Sequence, residues 1–139
     1  MAPEEWRGGR VVLEFEGVYM RSEVFVNGHL VGGRPSGYAI FHVVLDDLLD
    51  FGADNHLEVV AYNDQMPNSR WYTGSGIYRH TWLTIVEPLR VGHWGTYVTT
   101  PEADSTGAIV AVRTRVENNS RVARRGSLRS LVLNGEGGE

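Results

Sequence analysis

Apolar and polar residues alternate over residues 11–16 of this chain, and Gly17 ends the pattern. The two faces of the pattern are Val11, Leu13 and Phe15 on one side and Val12, Glu14 and Glu16 on the other. A period of two is typical of a β-strand with one buried face. Residues 55–62 alternate in the same way. The pattern therefore predicts two half-buried strands.

The dipeptide Asn27-Gly28 joins two further strand-like runs. Residues 23–27 are rich in β-branched and aromatic side chains, and Leu30-Val31 begin the run on the far side. Asn-Gly between two such runs is typical of a two-residue hairpin turn. The sequence therefore predicts a β-hairpin here.

Two more strands are predicted in the first part of the chain, over residues 38–45 and 77–86. After the first of these, Asp46 is predicted to cap a short helical turn that carries two leucines. Residues 63–76 contain glycines and several bulky aromatic residues, and they are predicted to form a long loop.

Glu87-Pro88 is predicted to mark a domain boundary, since the residues beyond it are poorer in bulky apolar side chains. Three strands are predicted there, over residues 90–99, 108–116 and 127–133. Patterns of helical length are almost missing throughout. We therefore predict an all-β chain with one domain over residues 1–87 and a shorter one over residues 88–139.

Composition excludes several classes of function. The net charge is −4 and the pI about 5.7, which is not the basic footprint of a nucleic-acid-binding protein. No apolar run approaches the length needed to cross a bilayer, so no membrane contact is expected. The chain has no Cys, and its five His show no zinc signature, so no metal or cofactor is expected. A cytoplasmic location is expected.

Four segments resemble glycoside hydrolase family 2, and within it most of all the bacterial β-galactosidases. They are FEGVYMRSEVFVNGHLVG, SGYAIFHVVLDDLLDFGADNHLEVVAYND, NSRWYTGSGIYRHTWL and LRVGHWGTYVTTP. The match covers essentially residues 11–83, and the first three segments follow one another in the order that the family shows. The fourth is similar to the start of the family's second domain.

This resemblance implies a fold and an activity. It implies a galactose-binding-like jelly-roll β-sandwich followed by an immunoglobulin-like β-sandwich, with catalysis in a later (β/α)₈ barrel. Relative to that layout, we expect the jelly roll to lack its first strands and the immunoglobulin-like domain to be truncated. No acidic residue lies in a context similar to the family's two catalytic Glu. We therefore expect this chain alone to have no activity. The parent enzyme that contains it is expected to hydrolyse β-galactosides.

The resemblance also implies candidate site residues in the long loop, which in the family reaches the rim of the barrel's pocket. Arg70, Trp71 and Tyr72 are the candidates for sugar contact, with Asn63-Asp64 at the base of the loop. A guanidinium offers directional donors to hydroxyls, and an aromatic face covers the apolar side of a pyranose. In the alternative, these side chains brace an interface between domains.

The segment that follows is predicted to be architectural. Gly74 and Gly76 permit a tight turn. Ile77 is predicted to enter the core, and Arg79 is predicted to hold a neighbouring loop. The acidic residues at positions 46, 47 and 50 are predicted to cap a helical turn and face solvent.

Other functions stay open at the level of sequence. The chain could be a free-standing carbohydrate-binding module that holds sugar through Arg70, Trp71 and Tyr72. The parent enzyme could be a β-glucuronidase or a β-mannosidase. Self-association through the predicted strands of residues 90–133 is also expected, because unpaired strand edges invite pairing with another copy.

Overall fold

The computed structural model describes residues 1–64 and 73–133. Within these ranges the regular structure consists of ten strands and one short 3₁₀ turn, Glu4–Trp6, which confirms the all-β prediction. No helix in these ranges is long and apolar enough to cross a membrane.

The chain divides into two compact units, Met1–Pro88 and Leu89–Glu139. The domain identities assigned to these two units from the sequence stay predictions. The strands of the first unit are β1 (Arg10–Phe15), β2 (Val18–Tyr19), β3 (Ser22–Val26), β4 (His29–Arg34), β5 (Phe41–Val44), β6 (Leu57–Ala61), β7 (Gly76–Ile77) and β8 (Thr81–Val86). Those of the second unit are β9 (Leu89–Ala103) and β10 (Ala108–Asn118).

The first unit is a β-sandwich of two three-stranded antiparallel sheets, ordered β5-β1-β8 and β4-β3-β6. In the first sheet Phe15 lies opposite Phe41, and in the second Val24 lies opposite Val59. The short strands β2 and β7 form a separate antiparallel pair. The central strand of each sheet, β1 or β3, is largely buried, as a sandwich with one inner core requires.

The core lies between these two sheets. Phe15 is 1% exposed and stacks on Phe41 with ring centroids 5.1 Å apart. The buried cluster contains Val11, Leu13, Phe15, Val18, Val24, Val26, Phe41, Val43 and Leu45. The predicted inner face of β1 is therefore confirmed. Val12, predicted for the outer face, is also buried, because β1 is the central strand and Val44 and Thr84 flank it.

The predicted hairpin is confirmed. β3 and β4 pair antiparallel, and Asn27 and Gly28 form the turn between them with φ angles of 49° and 82°. Two positive φ angles suit Asn and Gly better than residues with a branched or bulky side chain. The Asn27 side chain also donates to the Leu48 carbonyl over 2.9 Å, which ties the turn to the chain after β5.

Two details of the first unit differ from prediction. Asp46 does not cap a helical turn: its carboxylate accepts a hydrogen bond from the Val11 N–H at 2.6 Å and lies 3.0 Å from the Arg10 guanidinium. Asp46 is the second residue after β5, and its side chain therefore reaches the start of the neighbouring strand β1. Ile77 does not enter the core and is 49% exposed, since β7 pairs only with the short strand β2.

The described part of the second unit contains one long hairpin, β9–β10, with two register shifts. Its turn is held by Asp104, whose carboxylate accepts hydrogen bonds from the Thr106 N–H at 2.7 Å and the Gly107 N–H at 3.1 Å. The strand predicted over residues 127–133 is wrong. That segment has apolar residues at strand spacing, but in the structure no backbone ladder joins it to β9 or β10.

Candidate functional site

The candidate site begins where the predicted long loop, residues 63–76, meets the sandwich. We call residues 62–64 and 73–75 the loop base. The Asn63 side-chain amide donates to the Ser75 hydroxyl oxygen over 2.8 Å. This contact joins residues 12 positions apart and places the two ends of the loop side by side. Asn63 and Ser75 therefore lie at the same point of the sandwich.

Arg21, which lies between β2 and β3, holds the first end of the loop base. Its guanidinium donates to the Tyr62 carbonyl oxygen over 3.2 Å and pairs with the Asp64 carboxylate. A planar guanidinium can make both contacts at once, because its donors point in fixed directions. Arg21 has a positive φ of 48°, so its backbone conformation is itself unusual for a residue with a side chain.

Tyr62 is fixed at both its backbone and its ring. Its N–H donates to the Met20 carbonyl oxygen over 2.8 Å, and its hydroxyl donates to the Glu23 carboxylate over 2.9 Å. The hydrogen bond to Glu23 and the negative charge there raise the pKa of the Tyr62 hydroxyl. These contacts fix Tyr62, the residue that follows β6 and precedes the predicted loop.

The structure describes the position of one of the four predicted sugar-contact residues. Asp64 lies at the loop base, is 77% exposed at its side chain and pairs with Arg21. Arg70, Trp71 and Tyr72 lie outside the described residues. Sequence reasoning missed Arg21. It lies within the first family-like segment, but in a short connection between strands where no spacing pattern singles it out.

A second polar group, which we call the Glu16 cluster, consists of Glu16, Arg79, His80 and Trp82. The Trp82 indole N–H donates to one Glu16 oxygen over 2.9 Å, and the His80 ring nitrogen lies 3.2 Å from the other. The indole hydrogen bond, the His80 contact and the Arg79 charge hold the pKa of the Glu16 carboxyl below its ordinary value, in that order of effect. Arg79, predicted to hold a neighbouring loop, lies 3.6 Å from the carboxylate of Glu16, which is in the connection between β1 and β2.

No group of His, Asp or Glu side chains within residues 1–64 and 73–133 could hold a metal ion. The carboxylates at the site, Glu16 and Asp64, are each paired with basic or N–H donors. Such pairing suits fixed structural contacts better than proton transfer.

Comparison with known proteins identifies the family of this chain. No protein-family model matches it. A β-galactosidase from Bacteroides ovatus, BoGH2A, is 44% identical over 127 residues, which cover 91% of this chain and 15% of that protein. By sequence and by fold, this chain belongs to glycoside hydrolase family 2.

Solved structures agree with that assignment. A family 2 glycosyl hydrolase from Bacteroides cellulosilyticus superposes with a TM-score of 0.78 at 40% identity, over 87% of this chain and 16% of that one. A β-glucuronidase from Bacteroides uniformis superposes with a TM-score of 0.75 at 26% identity, over 86% and 15%. The chain thus spans about a sixth of the length of the family 2 proteins that it matches.

Proposed function

We propose that this chain is the non-catalytic N-terminal portion of a β-galactosidase-like glycoside hydrolase. In the intact enzyme it braces the catalytic barrel and contributes one wall of the sugar pocket, while the barrel hydrolyses terminal β-galactosides. The observation that carries the proposal is the 44% identity over 127 residues to a protein named as a β-galactosidase. A cytoplasmic location stays a prediction.

The wall that we propose is the loop on the loop base. Arg70, Trp71, Tyr72 and Asp64 are its proposed sugar contacts. Support comes from the two contacts that fix the ends of the loop, Asn63 with Ser75 and Arg21 with Asp64. Binding residues are often carried by a loop whose ends are held by a rigid scaffold.

Galactose is the proposed sugar, and a glucuronide is the competing one. The Bacteroides uniformis relative is named as a β-glucuronidase, and its fold matches almost as well as that of the first structure. Galactose and glucuronic acid differ at C6, a hydroxymethyl against a carboxylate, and at C4, where the hydroxyl is axial in galactose and equatorial in glucuronic acid. A panel of aryl β-galactoside, β-glucuronide and β-mannoside substrates, given to an enzyme that contains this segment, separates them.

The purified chain supplies the simplest test. It should release no product from an aryl β-galactoside, because glycoside hydrolysis requires a pair of catalytic carboxylates and no acidic residue of this chain lies in a context similar to that of the family's catalytic pair. Turnover above a buffer control would refute the non-catalytic role.

Calorimetric titration with galactose distinguishes the proposal from a free-standing carbohydrate-binding module. One wall of a pocket buries little of a sugar, so the chain alone should show no heat of binding at millimolar galactose. Binding at that concentration that disappears in Arg70→Ala would replace the proposal with the binding module.

A further inference from the structure

The Asn27 side chain lies at the turn between β3 and β4, and hydrogen bonds hold both of its polar atoms. Its amide nitrogen donates to the Leu48 carbonyl oxygen over 2.9 Å and to the Asn55 side-chain oxygen over 2.8 Å. Its amide oxygen accepts a hydrogen bond from the His56 N–H over 2.9 Å. The residue is half-buried, and these contacts fix its side chain in one orientation.

Asn55 is fixed in its own orientation by two further residues. Its side-chain oxygen accepts from the Asp50 N–H over 2.8 Å, and its side-chain nitrogen donates to the Asp50 carbonyl over 3.0 Å and to the Ala53 carbonyl over 3.2 Å. An amide turned end for end would lose these hydrogen bonds, because a carbonyl oxygen cannot donate. Asn55 therefore offers Asn27 an acceptor and no donor. We call the side chains of Asn27 and Asn55 and the Leu48 carbonyl the Asn27 network.

The glycine that follows Asn27 makes its side-chain amide chemically labile. In an Asn-Gly pair the backbone nitrogen of the glycine can attack the side-chain carbonyl carbon of the asparagine. A five-membered cyclic imide forms, and the side-chain nitrogen leaves as ammonia with the proton of the backbone N–H. Water then opens the imide at either carbonyl, which gives aspartate or isoaspartate without any oxidant or reductant. Glycine favours the attack because it has no Cβ and a flexible backbone, and asparagine is a thermally labile residue in general.

We propose that Asn27 is a deamidation site with water as its reagent, and that it reacts only when the Asn27 network opens. The attack requires the Asn27 carbonyl carbon to reach the Gly28 nitrogen. The nitrogen that leaves is the one that donates to Leu48 and Asn55, so both of these hydrogen bonds must break first. The folded turn therefore protects a pair of residues that reacts readily in an unfolded chain.

The backbone of the turn gives a second level of protection. The Asn27 N–H donates to the His56 carbonyl oxygen over 2.9 Å, and Val26 pairs with His29 across the two-residue turn. The Gly28 nitrogen cannot move towards the side chain while these pairs hold. The reaction rate therefore follows the fraction of time for which the turn is open, and opening a turn takes less free energy than unfolding the whole unit.

Deamidation replaces a donor by an acceptor at the centre of the network. In the folded state a carboxylate oxygen would take the place of the amide nitrogen, opposite the Leu48 carbonyl and the Asn55 oxygen, and neither of these can donate. Such acceptors, left without a donor beside a new negative charge, oppose folding. Isoaspartate also lengthens the main chain within a two-residue turn, where loop length sets the strand register. A turn that has reacted therefore no longer closes as before, and the change is irreversible.

Mass spectrometry of peptides that span the turn tests the proposal, since deamidation replaces an amide by a carboxyl group. The wild-type chain is kept in a mildly alkaline buffer, with and without enough urea to unfold it. Conversion at Asn27 should be at least about tenfold slower without urea, because only the open turn reacts. Asn134-Gly135, the other Asn-Gly pair of the sequence, is the reference in urea and should react there at a rate similar to that of Asn27-Gly28. Equal rates at Asn27 with and without urea would overturn the proposal.

Two variants test whether the Asn27 network, rather than overall stability, controls the reaction. Asn55→Ala removes one acceptor of the Asn27 amide and should speed conversion at Asn27 in buffer about fivefold, the effect of one hydrogen bond, without changing it in urea. Val12→Ala is the control, because it removes buried methyl groups from β1, outside the network, and lowers the stability of the sandwich. It should leave the rate at Asn27 in buffer unchanged. Equal acceleration in the two variants would contradict control by the network.

Asn27→Asp reproduces one product of the reaction and tests its effect on the folded state. Its urea midpoint should lie about 1 M below that of the wild type, because two acceptors lose their donor and a charge is added beside them. Asn119→Asp makes the same change at an exposed residue and should leave the midpoint unaltered. An Asn27→Asp variant as stable as the wild type would contradict the irreversible loss of the folded turn.

Discussion

Of the acidic residues in its turn, Asp46 should contribute most to the stability of the first unit. Its carboxylate accepts the Val11 N–H at 2.6 Å and lies 3.0 Å from the Arg10 guanidinium, with the Asp46 side chain only 18% exposed. Asp46→Ala leaves the N–H of a fully buried residue without this acceptor. A hydrogen bond to a charged group contributes about 1.5–3 kcal/mol, and a part-exposed ion pair adds about 0–1 kcal/mol. The expected loss in the free energy of unfolding is about 2–3 kcal/mol.

Urea unfolding followed by tryptophan fluorescence measures this loss. With a slope of about 1–3 kcal/mol per molar urea, the midpoint should fall by about 1 M. Amide hydrogen exchange at Val11 should also speed up, since that N–H has lost its acceptor. Asp47→Ala, in the same turn but exposed, is the matched control and should change stability by less than about 0.5 kcal/mol. Equal losses in the two variants would refute the assigned role of Asp46.

Two further predictions concern the same sandwich. Gly33→Ala should destabilise the first unit by more than about 1 kcal/mol, because a Cβ there would lie 2.0 Å from the Ser22 carbonyl oxygen. Gly74→Ala is the control, since a Cβ at that position would meet no atom within contact distance, and it should leave the thermal melting temperature unchanged. Glu16→Gln should make the free energy of unfolding depend less on pH under acidic conditions. Because the pKa of Glu16 is lowered in the folded state, its carboxylate contributes stability above its unfolded pKa, and this contribution is lost as the pH falls through the folded pKa. If the stability of Glu16→Gln fell with acid as steeply as that of the wild type, the result would contradict the assigned Trp82 and His80 contacts.

Local patterns in the sequence predicted the elements whose structure depends on neighbours along the chain. The inner face of β1 follows from the alternation of Val11, Leu13 and Phe15. The turn at Asn27-Gly28 follows from the positive φ angles that these two residues accept. In both cases the physical cause lies within a few residues of its effect.

The contacts at the candidate site depend instead on which strands become neighbours. Arg21 and Asp64 are 43 positions apart, and Glu16 and Trp82 are 66 positions apart. No local pattern indicates that either pair will meet. The wrong strand at residues 127–133 has the same origin, because apolar spacing shows that a segment could pair and gives no information about a partner strand.

The most direct test of the proposed function replaces the matched stretch of the Bacteroides ovatus β-galactosidase with this chain and measures kcat/KM on aryl β-galactoside and β-glucuronide. The chimera should prefer the β-galactoside. Arg70→Ala should lower its kcat/KM about tenfold or more, the effect of losing a charged hydrogen bond to the sugar. Arg121→Ala, an exposed arginine of the second unit, should have no effect. A folded chimera that prefers the β-glucuronide, or in which Arg70→Ala behaves as Arg121→Ala does, would contradict the account.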